Sequence, residues 1–278
     1  VAPSRGLGDV YKRQDMKKEL NLMITPAEFP VPLIILPETD STNNYLTQLC
    51  NEQQSAVREF TTVIAERQTA GKGQRGNSWE SEDCRNITFS FVLYPTFIEA
   101  RRQFILSQIV SLSIKEELDE WTKGISIKWP NDIYWNEKKI CGILIENDLS
   151  GHHIGRSISG IGVNINQETF RSDAPNPVSL KQITGQEHER YLILANIMRR
   201  LKEYYILLQT DSSGNAANCI AERYARSLFR REGFHRYADA DGEFLARLLC
   251  VEPDGRFILE DQAGKVRGYL FKEVQYIL

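Results

Sequence analysis

The sequence predicts an α+β fold: a mixed or antiparallel sheet with packed helices, followed by a small antiparallel β-barrel. Three observations carry this. Strand-like runs come in groups, "TTVIAE" with "ITFSFVL" and later "GISIKWP", "KKICGILIEN" and "HHIGRSISGIGVNIN", instead of alternating singly with helices. Helical periodicity is concentrated in "IEARRQFILSQIVSLSIKEELDEW", "EHERYLILANIMRRLKEYYILL" and "NAANCIAERYARSLF". From about Phe234 the texture changes to short strands broken by the turn signals Pro253-Asp254-Gly255 and Ala263-Gly264.

Each element can be justified in chain order. The stretch "VAPSRGLGDVYKRQD" precedes Met16 and carries neither period, so residues 1–30 are expected to form a partly non-native extension, with translation starting at Met16 or Met23. Leu33 to Leu36 reads as a strand, followed by a helix that Asp40, Ser41 or Thr42 can cap. Phe104, Ile105, Ile109, Leu112, Leu118 and Trp121 recur at helical spacing and predict a long core helix with an acidic outer face. Asn136 to Lys139 reads as a tight turn between strands. The main unit is expected over 31–230 and the barrel over 231–278.

Composition narrows the function. A chain of 278 residues, 41% apolar and 26% charged, can bury a sizeable core. A formal net charge of -3 argues against broad nucleic-acid binding, which needs a basic face. No apolar stretch approaches a membrane span and no hydrophobic signal core is visible. Five scattered cysteines, none spaced C-x-x-C, suit reduced thiols, and the expected compartment is the cytoplasm. The four histidines give no metal-ligand spacing, so a structural zinc site is not expected.

The stretch "AERQTAGKGQRGNSW" carries Gly71, Gly73 and Gly76 with Lys72 and Arg75. A P-loop would need lysine after its last glycine, where Asn77 stands, and a Rossmann fingerprint would open a helix. Here the glycines lie between two strands. The kinase motifs V-A-I-K, H-R-D and D-F-G do not follow. What remains is a flexible hairpin, or a backbone able to approach an anion closely with cations beside it.

Two other stretches are chemically suspicious. In "KWPND", Lys128 ends an apolar strand beside a stiff Trp-Pro turn, which would hold its charge in place instead of letting it wave in solvent. A snorkelling strand lysine is the structural alternative. In "GIGVNIN", glycines interrupt a β-branched strand, marking either a bulge or close approach by a ligand, with Asn164 nearby to hydrogen-bond it.

With "ETDSTNNYL", "AERQTAGKGQRGNSWES", "KWPNDIYWNEKKICGILIEN" and "ISGIGVNIN" in this order, the sequence resembles the biotin protein ligases from about Leu33 to Leu278. The resemblance implies a class II synthetase-like catalytic domain and an SH3-like C-terminal barrel. It also implies a two-step reaction: biotin and Mg-ATP (ATP with Mg2+) give biotinyl-adenylate and pyrophosphate, then a lysine of a biotin carboxyl carrier protein takes the biotin and releases AMP. Matching positions give a biotin-binding set of Ser41, Thr42, Asn43, Gln68, Gly71, Lys72, Gly73, Lys128, Gly142 and Ile143. They give an adenylate-binding set of Lys72, Gly73, Gln74, Arg75, Gly76, Trp79, Lys128, Asn131 and Asn164, with Lys128, Lys72 and Arg75 as the catalytic cations. Metal ligands stay open, Asp132 being the one weak candidate. The chain is expected to act as a monomer or homodimer, without DNA or membrane partners.

Two departures from the family pattern stand out. Lys72 and Gln74 replace two arginines of the usual glycine loop, and neutral Gln74 cannot make a charge-assisted bidentate pair. Faster leakage of the adenylate than from a Gln74→Arg variant is the expected consequence, and equal release rates would refute it. Pro26, Pro30 and Pro32 break the stretch ahead of the motifs, so no helix-turn-helix fits there and a ligase without repressor function is expected. Two rivals remain. A lipoate or octanoate transferase would need an apolar slot where "DSTNNYL" and Gln68 are polar, and a non-catalytic biotin or nucleotide sensor would have no need for Lys128.

Overall fold

The computed structural model describes residues 29–53, 57–73, 77–172 and 175–277. Residues 1–28 of the expected extension, and Gln74, Arg75 and Gly76 of the glycine loop, lie outside the described residues. Phe29 and Val31 are already buried in the main core, so the fold reaches into the stretch read as extension.

The larger sheet has seven strands in the order β1-β2-β3-β7-β6-β5-β4. They are β1 (Leu33–Leu36), β2 (Thr62–Ala65), β3 (Ile87–Leu93), β4 (Ile125–Lys128), β5 (Asp132–Trp135), β6 (Lys138–Ser150) and β7 (His153–Val163). Only the β1–β2 pairing is parallel, so the sheet is mixed, as expected. Strand β5 went unread in the sequence. Only Trp129, Pro130 and Asn131 separate it from β4, and the turn residues flanking Ile133 and Tyr134 hide so short an apolar pair. The expected turn after it is shorter than read, formed by Asn136 at φ +50 and Glu137, since Lys138 already begins β6.

Strand β3 shows how sequence period positions the site. All seven of its residues are buried. Ile87, Phe89, Phe91 and Leu93 point into the main core, whereas Val92, on the alternate face, packs with Leu46 and Cys50 of helix α1 (Thr42–Glu52). The face carrying α1 therefore also receives the hydroxyls of Thr88 and Ser90. Four further helices follow: α2 (Phe104–Asp119), α3 (Leu180–Thr184), α4 (Arg190–Thr210) and α5 (Asn215–Arg226). Short α3 was not foreseen. It is delimited by a Ser179–Gln182 capping box and by Gly185 at φ +78.

The acidic face of α2 is outer only in part: Asp119 and Glu120 at its end are exposed, whereas Glu116 and Glu117 turn inward. Glu117 is 1% exposed and accepts hydrogen bonds from Trp121, Asn196 and Arg200, while Glu116 accepts from Tyr204 and Arg223. The carboxylates face α4 and α5 because those helices supply the compensating donors.

The second sheet is fully antiparallel, in the order β11-β10-β9-β8-β12. It comprises β8 (His235–Asp239), β9 (Gly242–Val251), β10 (Phe257–Asp261), β11 (Val266–Tyr269) and β12 (Gln275–Tyr276). Both predicted turns fall between its strands, and Tyr237, Phe257 and Tyr276 form its aromatic centre. Trp129, just beyond β4, locks the two sheets together. Its ring stacks on Phe257 at 4.9 Å, and its Nε1 donates to the Gly255 carbonyl at 2.9 Å.

Candidate active site

A cavity of about 790 Å³ opens on the α1 face of the larger sheet, between the glycine loop, the β4–β5 turn and the second sheet. Its lining includes Ser41, Thr42, Asn43, Gln68, Lys72, Gly73, Trp79, Lys128, Gly142, Ile143 and Asn164 among the sequence candidates. Gly71 and Asn131 do not line it. Asn131 is buried, and Gly71 lies against Trp79, where an added Cβ would stand 2.7 Å from the Trp79 carbonyl.

One end of the cavity is polar. The Gln68 Oε1 accepts from the Thr42 backbone N–H at 2.8 Å and from its hydroxyl at 3.2 Å. The Ser90 hydroxyl sits 2.7 Å from Thr42 Oγ1 and 2.5 Å from Asn43 Oδ1, and Asn43 Nδ2 donates to Glu146 at 2.8 Å. Ser41 occupies the N-cap position of α1, but its side chain makes no capping bond. The capping role expected of it is therefore not taken up, and its buried hydroxyl stands on the cavity wall instead.

Glycines make the floor. Gly142 and Gly162 are paired across β6 and β7, and the Trp79 indole lies flat against both: a Cβ on Gly142 would stand 2.8 Å from Trp79 Cζ3, and one on Gly162 would run into the ring. A Cβ on Gly160 would likewise run into Asn43 Oδ1. The strand glycines thus serve close approach. Trp79 Nε1 and Asn164 Oδ1 are buried on this wall without a hydrogen-bond partner among the described residues, one a donor and the other an acceptor.

Within the glycine loop the described residues form a small hairpin. Trp79 donates its N–H to the Gly71 carbonyl at 2.9 Å, and Gly73 donates its own to Asn77 at 2.7 Å. In this conformation the hairpin uses the Gly73 N–H as a donor. Lys72 Nζ reaches back to Asn44 on α1 at 2.5 Å.

Lys128 ends β4 with its ammonium 3.1 Å from the Tyr134 hydroxyl, to which it donates. It lies 4.8 Å from the centre of the Tyr134 ring and 5.1 Å from that of Tyr276. Burial pulls the Lys128 pKa below its ordinary value; the Asp132 carboxylate opposes this, while Lys139 and Arg230 add to it. Burial, helped by Asp132, pushes the Tyr134 hydroxyl well above its ordinary value, so it stays protonated. Asp132 accepts a hydrogen bond from Lys139 at 2.8 Å, and Lys139 stands 6.0 Å over the Trp79 ring. No cluster of three or more metal-ligating side chains occurs among the described residues. Asp132 offers a single carboxylate, enough for a cation that arrives on phosphate oxygens but not for a protein-built cage.

Sequence reasoning missed Ser90, Tyr134, Lys139, Glu80, Phe271 and Lys272. Ser90 had a signal, a hydroxyl inside the apolar run "ITFSFVL". Glu80 accepts from the backbone N–H groups of Arg171 and Ser172 and from Gln167, fastening the loop beyond β7 to the Trp79 segment. Burial would raise its pKa, but these hydrogen bonds together hold it below the ordinary carboxylate value. Phe271 and Lys272 come from the second sheet, and no local pattern announced them.

Comparison with known proteins gives a consistent result. The biotin/lipoate A/B protein ligase family matches residues 35–164. The biotin–[acetyl-CoA-carboxylase] ligase of Paracoccus denitrificans is 29% identical over 246 residues, covering 83% of this chain and 95% of that protein. The bifunctional ligase/repressor BirA of Bacillus spizizenii is 29% identical over 244 residues, covering 85% of this chain but 72% of that relative, and for the Bacillus subtilis protein the latter share is 65%. Among solved structures, the biotin protein ligase of Aquifex aeolicus in complex with biotin and ATP is similar with a TM-score of 0.72 and 28% identity, covering 88% of this chain and 99% of that one.

Proposed function

We propose that the chain, whose residues 35–164 match the biotin/lipoate A/B protein ligase family, is an ATP-dependent biotin protein ligase. The observation that carries the reading is the joining, in one cavity, of a polar end at Ser41, Thr42, Asn43 and Gln68, backed by Ser90, to a preorganised cation at Lys128. A ureido ring needs several donors and acceptors when buried, and the polar end provides them. A carboxylate attacking phosphorus needs fixed positive charge where negative charge gathers, and Lys128 provides that.

In this reading Ser41, Thr42, Asn43 and Gln68 hold the ureido ring, and the tail of biotin runs beside Gly142 and Ile143 toward Lys128 once the Trp79 indole, which lies against Gly142 in this conformation, moves aside. A carboxylate oxygen attacks the α-phosphorus of ATP, the bond to the bridging oxygen breaks, and pyrophosphate leaves with the electron pair. Lys128 stabilises the oxygens between which charge moves, with Lys72 and, from the sequence alone, Arg75 as further cations. Mg2+ enters with ATP as substrate, and Asp132 is the carboxylate on the wall it would meet. Asn164, with its unpartnered Oδ1, faces the nucleotide. Trp79 and the glycine loop cover the mixed anhydride and keep water from it. In the second step the amine of a carrier-domain lysine attacks the acyl carbon, AMP departs, and the amine loses a proton to solvent.

The partner that fits this chemistry is a biotin carboxyl carrier domain. Five free cysteines support a reducing, cytoplasmic setting. The test is pyrophosphate release from Mg-ATP with biotin, lipoate or octanoate, using Lys128→Ala as control, followed by transfer to a carrier domain. Release with biotin alone, lost in the variant, is expected. Release with lipoate or octanoate would move the chain to the lipoate branch, and none with any acid would favour a binding module.

A further inference from the structure

We propose that Lys272, in the turn between β11 and β12, is a phosphate-contacting residue that binds the polyphosphate of ATP from the side of the second sheet. The inference rests on the ligase reading for its ligand and on the following geometry for its residue.

Lys272 lines the same cavity as Lys72, Lys128 and Lys139. Four lysines against the two carboxylates of Glu80 and Asp132 make this a positive pocket in a chain whose net charge is -3, a field suited to a polyanion. The other three cations are engaged. Lys72 is on Asn44, Lys128 on Tyr134 and Lys139 on Asp132. Lys272 makes no ion pair among the described residues, and its ammonium lies 5.9 Å from the neighbouring Phe271 ring.

The backbone beneath it is unusual. Lys272 has φ +74, in the left-handed region that glycine enters without steric cost and that a lysine rarely adopts. The turn is fixed by Glu273 N–H to the Leu270 carbonyl at 3.1 Å and by Leu270 N–H to the Glu273 carboxylate at 2.7 Å. Phe271 then packs edge-on against Trp129 at 6.1 Å, which sets the turn beside the residue following Lys128. A strained, non-glycine position facing a cavity is where a side chain is retained for what it contacts. The ammonium here meets the charge that Lys128 alone cannot cover, the terminal phosphates that leave as pyrophosphate.

The experiment compares wild type, Lys272→Gly and Lys272→Arg in calorimetric titrations with ATP and with inorganic pyrophosphate, alongside Tm and the biotin-dependent release assay. Lys272→Gly relaxes the backbone, so its Tm should equal or exceed that of wild type. Its affinity for ATP and for pyrophosphate should fall on the order of tenfold, the scale of one half-exposed charge-assisted hydrogen bond. The KM for biotin should stay unchanged, and Lys272→Arg should restore both affinities. Unchanged ATP and pyrophosphate affinities in Lys272→Gly would overturn the inference, as would a fall in affinity accompanied by a lower Tm. A wild-type chain that binds ATP but releases no pyrophosphate with biotin would sink the ligase reading alone, leaving the Lys272 contact to be judged by the titration.

Discussion

Lys128, the last residue of β4, holds its ammonium 5.1 Å from the ring centre of Tyr276, the last residue of β12. The cation at the heart of the proposed chemistry is thus flanked by one ring from its own sheet, Tyr134, and one from the far end of the chain. Removing the second ring should loosen the ammonium without removing it. Tyr276→Leu is expected to lower kcat by about tenfold, the scale of a partly desolvated cation–π contact, with KM for biotin little changed. Tyr276→Phe should retain most of the activity. Phe244→Leu, which disturbs the same aromatic cluster without reaching Lys128, is the control for simple destabilisation. Equal losses in Tyr276→Leu and Phe244→Leu would refute a positioning role.

The depressed pKa of Lys128 fixes the sign of a pH effect. The groups facing it are Asp132, which favours the charged form, and Lys139 and Arg230, which disfavour it together with burial. Because the folded state releases this proton more readily than the unfolded chain, stability contributed at this site rises with pH between the folded value and the ordinary 10.5. Adenylation runs the other way, and should fall on the alkaline side at a pH below that of a free lysine. Lys128→Met should therefore be inactive yet at least as stable as wild type at neutral pH. Reduced stability in urea would show that the ammonium is stabilising where it stands.

Trp79 and Gly162 predict a specificity variant. A Cβ at residue 162 would take the place of the indole ring, which comes from a loop and can move aside. Gly162→Ala should consequently leave the sheet intact, costing at most about 1–3 kcal/mol, the usual range for overpacking. It should shift the Trp79 fluorescence and raise KM for biotin. An unchanged emission spectrum would mean that the backbone, not the ring, had given way.

Glu66 and Arg190 pair at 2.8 Å with side-chain exposures of 6% and 14%, and Arg190 also donates to the Asn86 carbonyl at 2.9 Å. Arg190→Leu would leave the Glu66 carboxylate buried beside the Tyr191 hydroxyl and the Cys84 thiol but without its cation. Urea denaturation should report a loss of about 3–5 kcal/mol, as for other broken buried pairs. Arg226→Ala, which removes an exposed partner of Glu222, should cost less than about 1 kcal/mol.

The legible parts of this protein were those written in local pattern. The β-branched and aromatic run "ITFSFVL" marked β3, though not the two faces it separates, and 3.6-residue spacing marked α2, α4 and α5. Glycines inside otherwise β-branched strands marked a surface of close approach, which Trp79 and Asn43 occupy. Short pieces escaped. Strand β5 and helix α3 have few residues each and owe their form to neighbours, β4 and β6 for one and a capping box for the other.

By itself, the sequence determined the longer elements, the mixed sheet with its smaller antiparallel companion, the resemblance, and the residues Thr42, Gln68, Lys128 and Asn164 that now line one cavity. Only the tertiary structure decided what stands around them. Ser90 came from β3, Tyr134 from an unread strand, Tyr276 and Lys272 from the end of the chain, and Glu117 turned inward against α4. The physical reason is range. Periodicity and turn chemistry act over a few neighbouring residues, whereas the field around an ammonium and the partner of a buried carboxylate are set by whatever folding brings within hydrogen-bonding distance, wherever it lies along the chain.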